Sequence, residues 1–212
     1  MIVLGLTGSI GMGKSTTARM FADEGAWVHD ADQTVHQLYA RGGEAVGPVG
    51  AAFPEAIKDG AVDRQALAGA IAADPEALKR LEAVVHPLVA SARNAFVEEA
   101  RKAGAAVVVL DVPLLFETGG HGSLDAIVVV SAAPEIHRRR VLERPGMTAG
   151  RLEALLARQM PDADKRARAD FIVETGEGLD HARVQVRQIL AAVKDPAWRS
   201  RRALAGPGKA SH

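Results

Sequence analysis

The sequence predicts an α/β fold built on a doubly wound parallel sheet. Three observations carry this: the chain opens with strand, glycine-rich loop and helix; later short β-branched runs are separated by helical stretches; and no internal repeat or low-complexity linker divides the 212 residues. A chain of this length, 48% hydrophobic, is long enough for one well-cored fold carrying insertions.

Ile2 to Thr7 is short, apolar and bounded by glycine, the pattern of a buried parallel strand. Lys14 to Glu24 places Ala18, Phe21 and Ala22 at helical spacing before Gly25, a natural helix stop. Ala26 to His29 forms a second short strand, and the next stretch is helix-rich, with a Gly/Pro-rich break over 41–50. Asp63 is the N-cap of a helix RQALAGAIAA, and Pro75 opens another that runs to His86, where Pro87 is expected to break or kink it. Val107 to Leu110 and Ile127 to Val130 are strands buried on both faces, Phe171 to Val173 is a weaker one, and Asp180 to Lys194 is a closing helix. Residues 196–212 have the composition of a frayed end, and the stretch at roughly 32–103 reads as an insertion at one edge.

Composition narrows the function classes. Lys plus Arg and Asp plus Glu both number 26, so no global field draws the chain to nucleic acid or anionic lipid, and an anion site must be local. The absence of cysteine removes disulfides, thiolate catalysis and Cys-ligated zinc and suits the cytoplasm. The start lacks the pattern of a signal peptide, and the apolar runs near 105–116 and 126–133 fall short of a membrane span.

Gly8-Ser9-Ile10-Gly11-Met12-Gly13-Lys14-Ser15 fits the pattern of glycine, four residues, glycine, lysine and serine, and it lies between a strand and a helix as that pattern requires. Glycines let backbone amides wrap an anion, and the helix N-terminus adds partial positive charge. Lys14 opposes that dipole unless an anion sits there, so a phosphate site is favoured over a plain turn. Lys14 is expected to meet the β and γ phosphates of ATP, and Ser15 to give a hydroxyl ligand to Mg²⁺.

The acceptor side is read from Asp30-Ala31-Asp32, just past the second strand, where ligands of parallel sheets gather. Asp32 suits a general base for an attacking hydroxyl, and Asp30 suits holding water around Mg²⁺; either also suits an N-cap. Asp111, at a strand end, suits metal-bound water or a turn, while Val112 to Glu117 form an apolar shelf beside the site, with Leu114 and Leu115 equally suited to the core. The cations between Glu135 and Arg168, in helical pieces broken at Pro145-Gly146 and Pro161, read mostly as a solvated face, yet Arg140 and Arg144, one turn apart, suit a phosphate-closing lid.

The blocks GLTGSIGMGKSTTA, HDADQTVHQL, LEAVVHPLV, LDVPLLFETG, HRRRVLERPGMT and RQMPDADKRARADF, in this order, resemble the dephospho-CoA kinases from near residue 1 to about 190. The resemblance implies a five-stranded parallel sheet flanked by helices, with a nucleotide-binding core at 1–31, 104–134 and 169–195. It further implies a helical acceptor domain at 32–103 and a lid at 135–168, leaving 196–212 as a tail. It implies ATP phosphates on Gly11, Met12, Gly13, Lys14, Ser15 and Thr16, Asp32 as catalytic base, and Arg140 over the transferred phosphate. It sets His86, Pro87, Leu114 and Phe116 near dephospho-CoA; a bond from His86 to a backbone carbonyl freed by Pro87 is an equal alternative. The family often has a second glycine where Ser9 stands and an asparagine where Thr175 stands.

The implied activity is transfer of the ATP γ-phosphate to the ribose 3′-hydroxyl of dephospho-CoA, with ATP, Mg²⁺ and dephospho-CoA as the small-molecule partners and neither nucleic acid nor membrane. Monomer and homotrimer stay open. The nearest rival is a P-loop kinase for a nucleoside, nucleotide or sugar acid, which the length of the insertion disfavours. A GTPase switch usually needs an Asn-Lys-x-Asp run, and the only asparagine is Asn94, inside a helical stretch. A dead relative is disfavoured because Lys14, Ser15, Asp32 and Arg140 are all present.

Overall fold

A computed structural model describes residues 1–119 and 124–200. Met1–His29 and the chain from Ala100 onward form one compact unit, and Asp30–Glu99 form a second. In chain order, β1 (Ile2–Thr7), α1 (Lys14–Asp23) and β2 (Trp27–Asp30) come first. The second unit follows with α2 (Ala31–Tyr39), α3 (Val46–Ala52), a 3₁₀ turn (Pro54–Ala56), β3 (Ile57–Lys58), β4 (Ala61–Val62), α4 (Arg64–Ala73) and most of α5 (Ala77–Lys102). The first unit resumes with β5 (Val107–Asp111), β6 (Ala126–Ser131), α6 (Pro134–Leu142), α7 (Ala149–Leu156), α8 (Asp162–Arg168), β7 (Phe171–Glu174) and α9 (Leu179–Lys194).

The five-stranded sheet has the order β2-β5-β1-β6-β7, and β1 pairs in parallel with both β5 and β6, aligning Leu4 with Val109 and with Ala126. Every residue of β5 and β6 is buried, which is why these segments read as unbroken runs of valine, leucine and isoleucine rather than alternating ones. The chain runs from β1 to β2 on one side of the sheet and later crosses β1 from β5 to β6 on the other, and such a switch of direction opens a crevice at the strands' carboxyl ends. Leu4, Leu6, Phe21, Val109, Val128, Val186 and Leu190 belong to the core of this unit.

The second unit has its own core, including Leu38, Phe53, Val62, Leu67, Ala77 and Val85. Asp63 caps α4 as expected: one carboxylate oxygen accepts from the amides of Gln65 at 2.9 Å and Ala66 at 3.1 Å. Those two bonds hold the Asp63 carboxyl below the usual carboxylate range.

Several expectations need correction. Pro87 does not break its helix, since α5 runs unbroken from Ala77 to Lys102. The carbonyl that Pro87 leaves without a donor is that of Ala83; both residues are exposed, so water can serve it while Leu81, Val84, Val85 and Leu88 keep the opposite face packed. The Gly/Pro-rich stretch is half helix, because Pro48 falls in the first turn of α3, where a missing amide hydrogen costs nothing, and Val49 is buried. Ala22 is exposed, and the buried face of α1 is Thr17, Ala18, Met20 and Phe21. The β3–β4 hairpin was not foreseen, although Asp59-Gly60, both at positive φ, is the pair such a turn requires. Finally, the segment from Pro196 is not frayed throughout: Trp198 stacks on Phe171 with ring centroids 5.8 Å apart and packs against the core. Residues 201–212 of the expected tail lie outside the described residues.

Candidate active site

The phosphate loop follows β1 at the crevice end of the sheet, and its glycines are there for distinct reasons. A Cβ on Gly8 would lie 2.7 Å from the Val130 carbonyl oxygen. Gly11 combines φ of 79° with no room, since a Cβ would fall 2.3 Å from Val141 Cγ2 on α6. Gly13, at φ 93°, is the N-cap of α1 and has no side chain to cap it, so the first amides of that helix stay available. The loop is braced from within by the Met12 amide donating to the Ser9 carbonyl at 3.1 Å, and by Thr17 Oγ1 donating to the Gly13 carbonyl at 3.1 Å. Met12, expected among the nucleotide-binding residues, buries its side chain in the core, so only its backbone faces the loop's task.

Lys14 forms an ion pair with Asp111, the buried last residue of β5. Of the two roles left open for Asp111, neither anticipated this pairing. Ser15 and Thr16 are exposed on the first turn of α1. Gly11, Gly13, Thr16, Arg140, Arg144 and Thr175 line one cleft of about 320 Å³, so the loop and both arginines meet there.

The hydrogen bonds around Arg140 were not legible in the sequence. Its guanidinium donates to Thr175 Oγ1 at 2.8 Å and to the Thr175 carbonyl at 2.7 Å. Thr175 Oγ1 in turn donates to the Met12 carbonyl at 2.8 Å, so one buried hydroxyl joins the loop, the end of β7 and α6. His137, also buried on α6, reaches the Ile10 carbonyl at 2.7 Å. Arg140 has five donors and Thr175 occupies two, which leaves the others for a phosphate.

The cation run is not a solvated face at Lys165. That side chain is fully buried in α8, with its ammonium 3.0 Å from Glu117 Oε1. Burial alone raises the Glu117 carboxyl, but the Met160 amide, its own amide and Lys165 outweigh this and hold it below the usual carboxylate range. On the shelf after β5, Leu115 is core, Phe116 is half-buried and Leu114 is 40% exposed, so of the two leucines only Leu114 is available to a ligand.

In the second unit, Asp30 is the N-cap of α2 and accepts from the Gln33 amide at 2.9 Å. That occupies Asp30 and leaves Asp32, in the first turn and exposed, without the capping task. His86 and Pro87 are both exposed on α5.

The family model described as dephospho-CoA kinase matches residues 2–180. A curated dephospho-CoA kinase of Nitrobacter winogradskyi is 56% identical over 201 residues, covering 94% of this chain and 100% of its own. One from Cereibacter sphaeroides is 57% identical over 194 residues, covering 92% and 96%. Among solved structures, TT1252 from Thermus thermophilus superposes with a TM-score of 0.76 at 38% identity, covering 90% of this chain and 96% of that one. Dephospho-CoA kinase from Campylobacter jejuni, at 23% identity over 91% of this chain and 96% of its own, shares the fold with a TM-score of 0.69.

Proposed function

The chain belongs to the dephospho-CoA kinase family, and from that premise we propose that it transfers the γ-phosphate of ATP to the ribose 3′-hydroxyl of dephospho-CoA, giving coenzyme A. The observation that carries the chemistry is the cleft where the phosphate loop, Arg140 and Arg144 come together. Anionic oxygens bound there meet backbone amides, a helix N-terminus and guanidinium groups, the set that stabilises charge spreading over a transferred phosphoryl group.

In this reading Lys14 exchanges Asp111 for the β and γ phosphates, and Arg140 turns unused donors to the phosphate being transferred. Asp32 takes the proton of the attacking hydroxyl; its exposure and the capping of α2 by Asp30 support that role. The Asp30–Glu99 unit receives the acceptor, with His86 and Pro87 on it, and Leu114 and Phe116 of the first unit contribute apolar contact. Mg²⁺ fits the donors present: the Ser15 hydroxyl and the Asp111 carboxylate are hard oxygens, and a few protein oxygens suffice for an ion that keeps waters and phosphate oxygens. When bound, Mg²⁺ neutralises charge on the β and γ phosphate oxygens. A chain without cysteine suits the cytoplasm, where we place the reaction.

The test is ADP release by the purified protein with ATP and Mg²⁺, offered dephospho-CoA, adenosine, shikimate or gluconate in turn. Dephospho-CoA alone should support turnover; a preference for shikimate or gluconate overturns the acceptor assignment. Asp32→Asn should lower kcat by about 10²- to 10⁴-fold with ATP binding retained, and a normal rate removes Asp32 as base.

A further inference from the structure

A trans peptide points its carbonyl and its amide hydrogen in opposite directions. The Ile10 carbonyl shares one such plane with the Gly11 amide, and the Met12 carbonyl shares another with the Gly13 amide. For those two amides to face a triphosphate, the two carbonyls must turn the other way, into the protein, where each needs a donor. Both have one, and neither donor belongs to the loop. His137 Nε2 lies 2.7 Å from the Ile10 oxygen; a carbonyl carries no proton, so the ring nitrogen is the donor. Thr175 Oγ1 donates to the Met12 oxygen at 2.8 Å. Among the described residues, Gly11 and Gly13 give their own amide hydrogens to no other backbone group.

We propose that His137 and Thr175 are positioning residues for the phosphate loop: by holding the Ile10 and Met12 carbonyls turned into the protein, they aim the Gly11 and Gly13 amides at the phosphates of ATP. Neither side chain touches the phosphate. Thr175 does a second job, since its hydroxyl accepts from Arg140 while donating to Met12. Arginine, hydroxyl and peptide therefore form one polarised chain, in which a charged donor strengthens the next bond along. The bond from Thr175 to the Ser131 carbonyl, at 3.3 Å, is the weaker branch of the same hydroxyl and anchors it to the sheet. The close approach of Val141 to Gly11 presses α6 on the loop at the same place, so His137 is held at its carbonyl by packing as well as by its bond.

The inference rests on the reading that this loop binds ATP, and direct titration of ATP separates the two. Thr175→Val keeps shape and removes the hydroxyl; His137→Phe keeps a ring and removes the donor. Each should weaken ATP binding about tenfold, the scale of one lost hydrogen bond, and raise KM for ATP while leaving KM for dephospho-CoA unchanged. Thr175→Ser and His137→Gln, which restore a donor, should return ATP affinity to within about threefold of wild type, below the tenfold loss. A purely structural role lowers the melting temperature but leaves the affinity of the folded protein unmoved. The proposal fails if Thr175→Val and His137→Phe bind ATP as tightly as wild type, or if the restoring variants are as weak as the deleting ones. Should Thr175→Val not fold, Thr175→Ala makes the same deletion with less bulk and is judged by the same titration. If wild-type protein itself binds no ATP, the kinase reading falls, and this inference with it.

Discussion

Replacing Lys165 by Met tests how α8 is held. The side chain is fully buried and its ammonium sits 3.0 Å from Glu117 Oε1, an oxygen that also accepts the Met160 amide at 2.8 Å. The pair is close but poorly aligned: the Lys165 ammonium makes no well-directed hydrogen bond among the described residues. Methionine keeps the apolar stem and deletes the charge, leaving the Glu117 carboxylate with backbone amides alone. Breaking a buried pair from one side costs ~3–5 kcal/mol, and the 17% exposure of the Glu117 side chain puts the cost near the lower end, about 3 kcal/mol. For a chain of this size each kcal/mol is worth ~2–4 °C, so the melting temperature should drop by roughly 6–12 °C. Thermal unfolding followed by circular dichroism at neutral pH measures it, and the drop should change little with added salt, because a buried pair is poorly screened. Adding Glu117→Met removes the stranded charge and should restore most of the loss. A single variant melting within about 2 °C of wild type, or a double variant melting below the single one, refutes the reasoning.

The same carboxylate sets an acid limit. Glu117 titrates below its ordinary 4.5 in the folded chain, so its stabilisation is complete above that value and is lost as pH falls through the lower folded one. Glu117→Gln should therefore flatten the decline in melting temperature below about pH 4.5, and an unchanged acid profile counts against the pairing. Gly11→Ala should weaken ATP binding by tenfold or more, since the residue needs φ of 79° and its methyl meets Val141; adding Val141→Ala should recover only part, because a left-handed alanine still costs about 1–2 kcal/mol. Full recovery in the double variant, measured by ATP titration, assigns the whole effect to the clash.

What the sequence made legible is what local pattern encodes. The phosphate loop depends on residues within one octapeptide, and the β5 and β6 runs announce burial on both faces by composition alone. The Asp63 cap is likewise a matter of four consecutive residues, 63–66. Contacts across long separations were not legible: Lys165 looks like any surface cation until Glu117, 48 positions earlier, is folded over it. Thr175 looked like a departure from the asparagine common in the family, yet its hydroxyl spans 163 positions to reach the loop. Pro87 and the Gly/Pro-rich stretch at 41–50 fold otherwise than their sequence suggests for a related reason, because whether a lost amide hydrogen matters depends on which face meets water and where the helix begins. Asp30 and Asp32 both suit a cap in the sequence, as two carboxylates so close to a helix start compete for one cap until the start itself is fixed at Ala31.

The pairing of Lys14 with Asp111 changes how the site attracts its ligand. A chain with 26 charges of each sign offers no long-range field, and the P-loop cation is itself neutralised by a buried carboxylate. The uncompensated attraction into the cleft then comes from Arg140, held by a neutral threonine, from Arg144, and from the amides at the start of α1. A triphosphate must compete with Asp111 for Lys14, so part of its binding free energy goes to separating that pair. Asp111→Asn removes the competitor while preserving shape. Without Mg²⁺, the variant should bind ATP more tightly than wild type, by up to about tenfold, one charged hydrogen bond's worth. With Mg²⁺ present that advantage should shrink and kcat should fall, because the same carboxylate is then lost to the metal's water shell. Calorimetric titration in chelator and in Mg²⁺ separates the two effects. If the variant instead loses ATP affinity without Mg²⁺ as severely as Lys14→Ala does, Asp111 is organising the lysine for the phosphate rather than withholding it, and the competition argument fails.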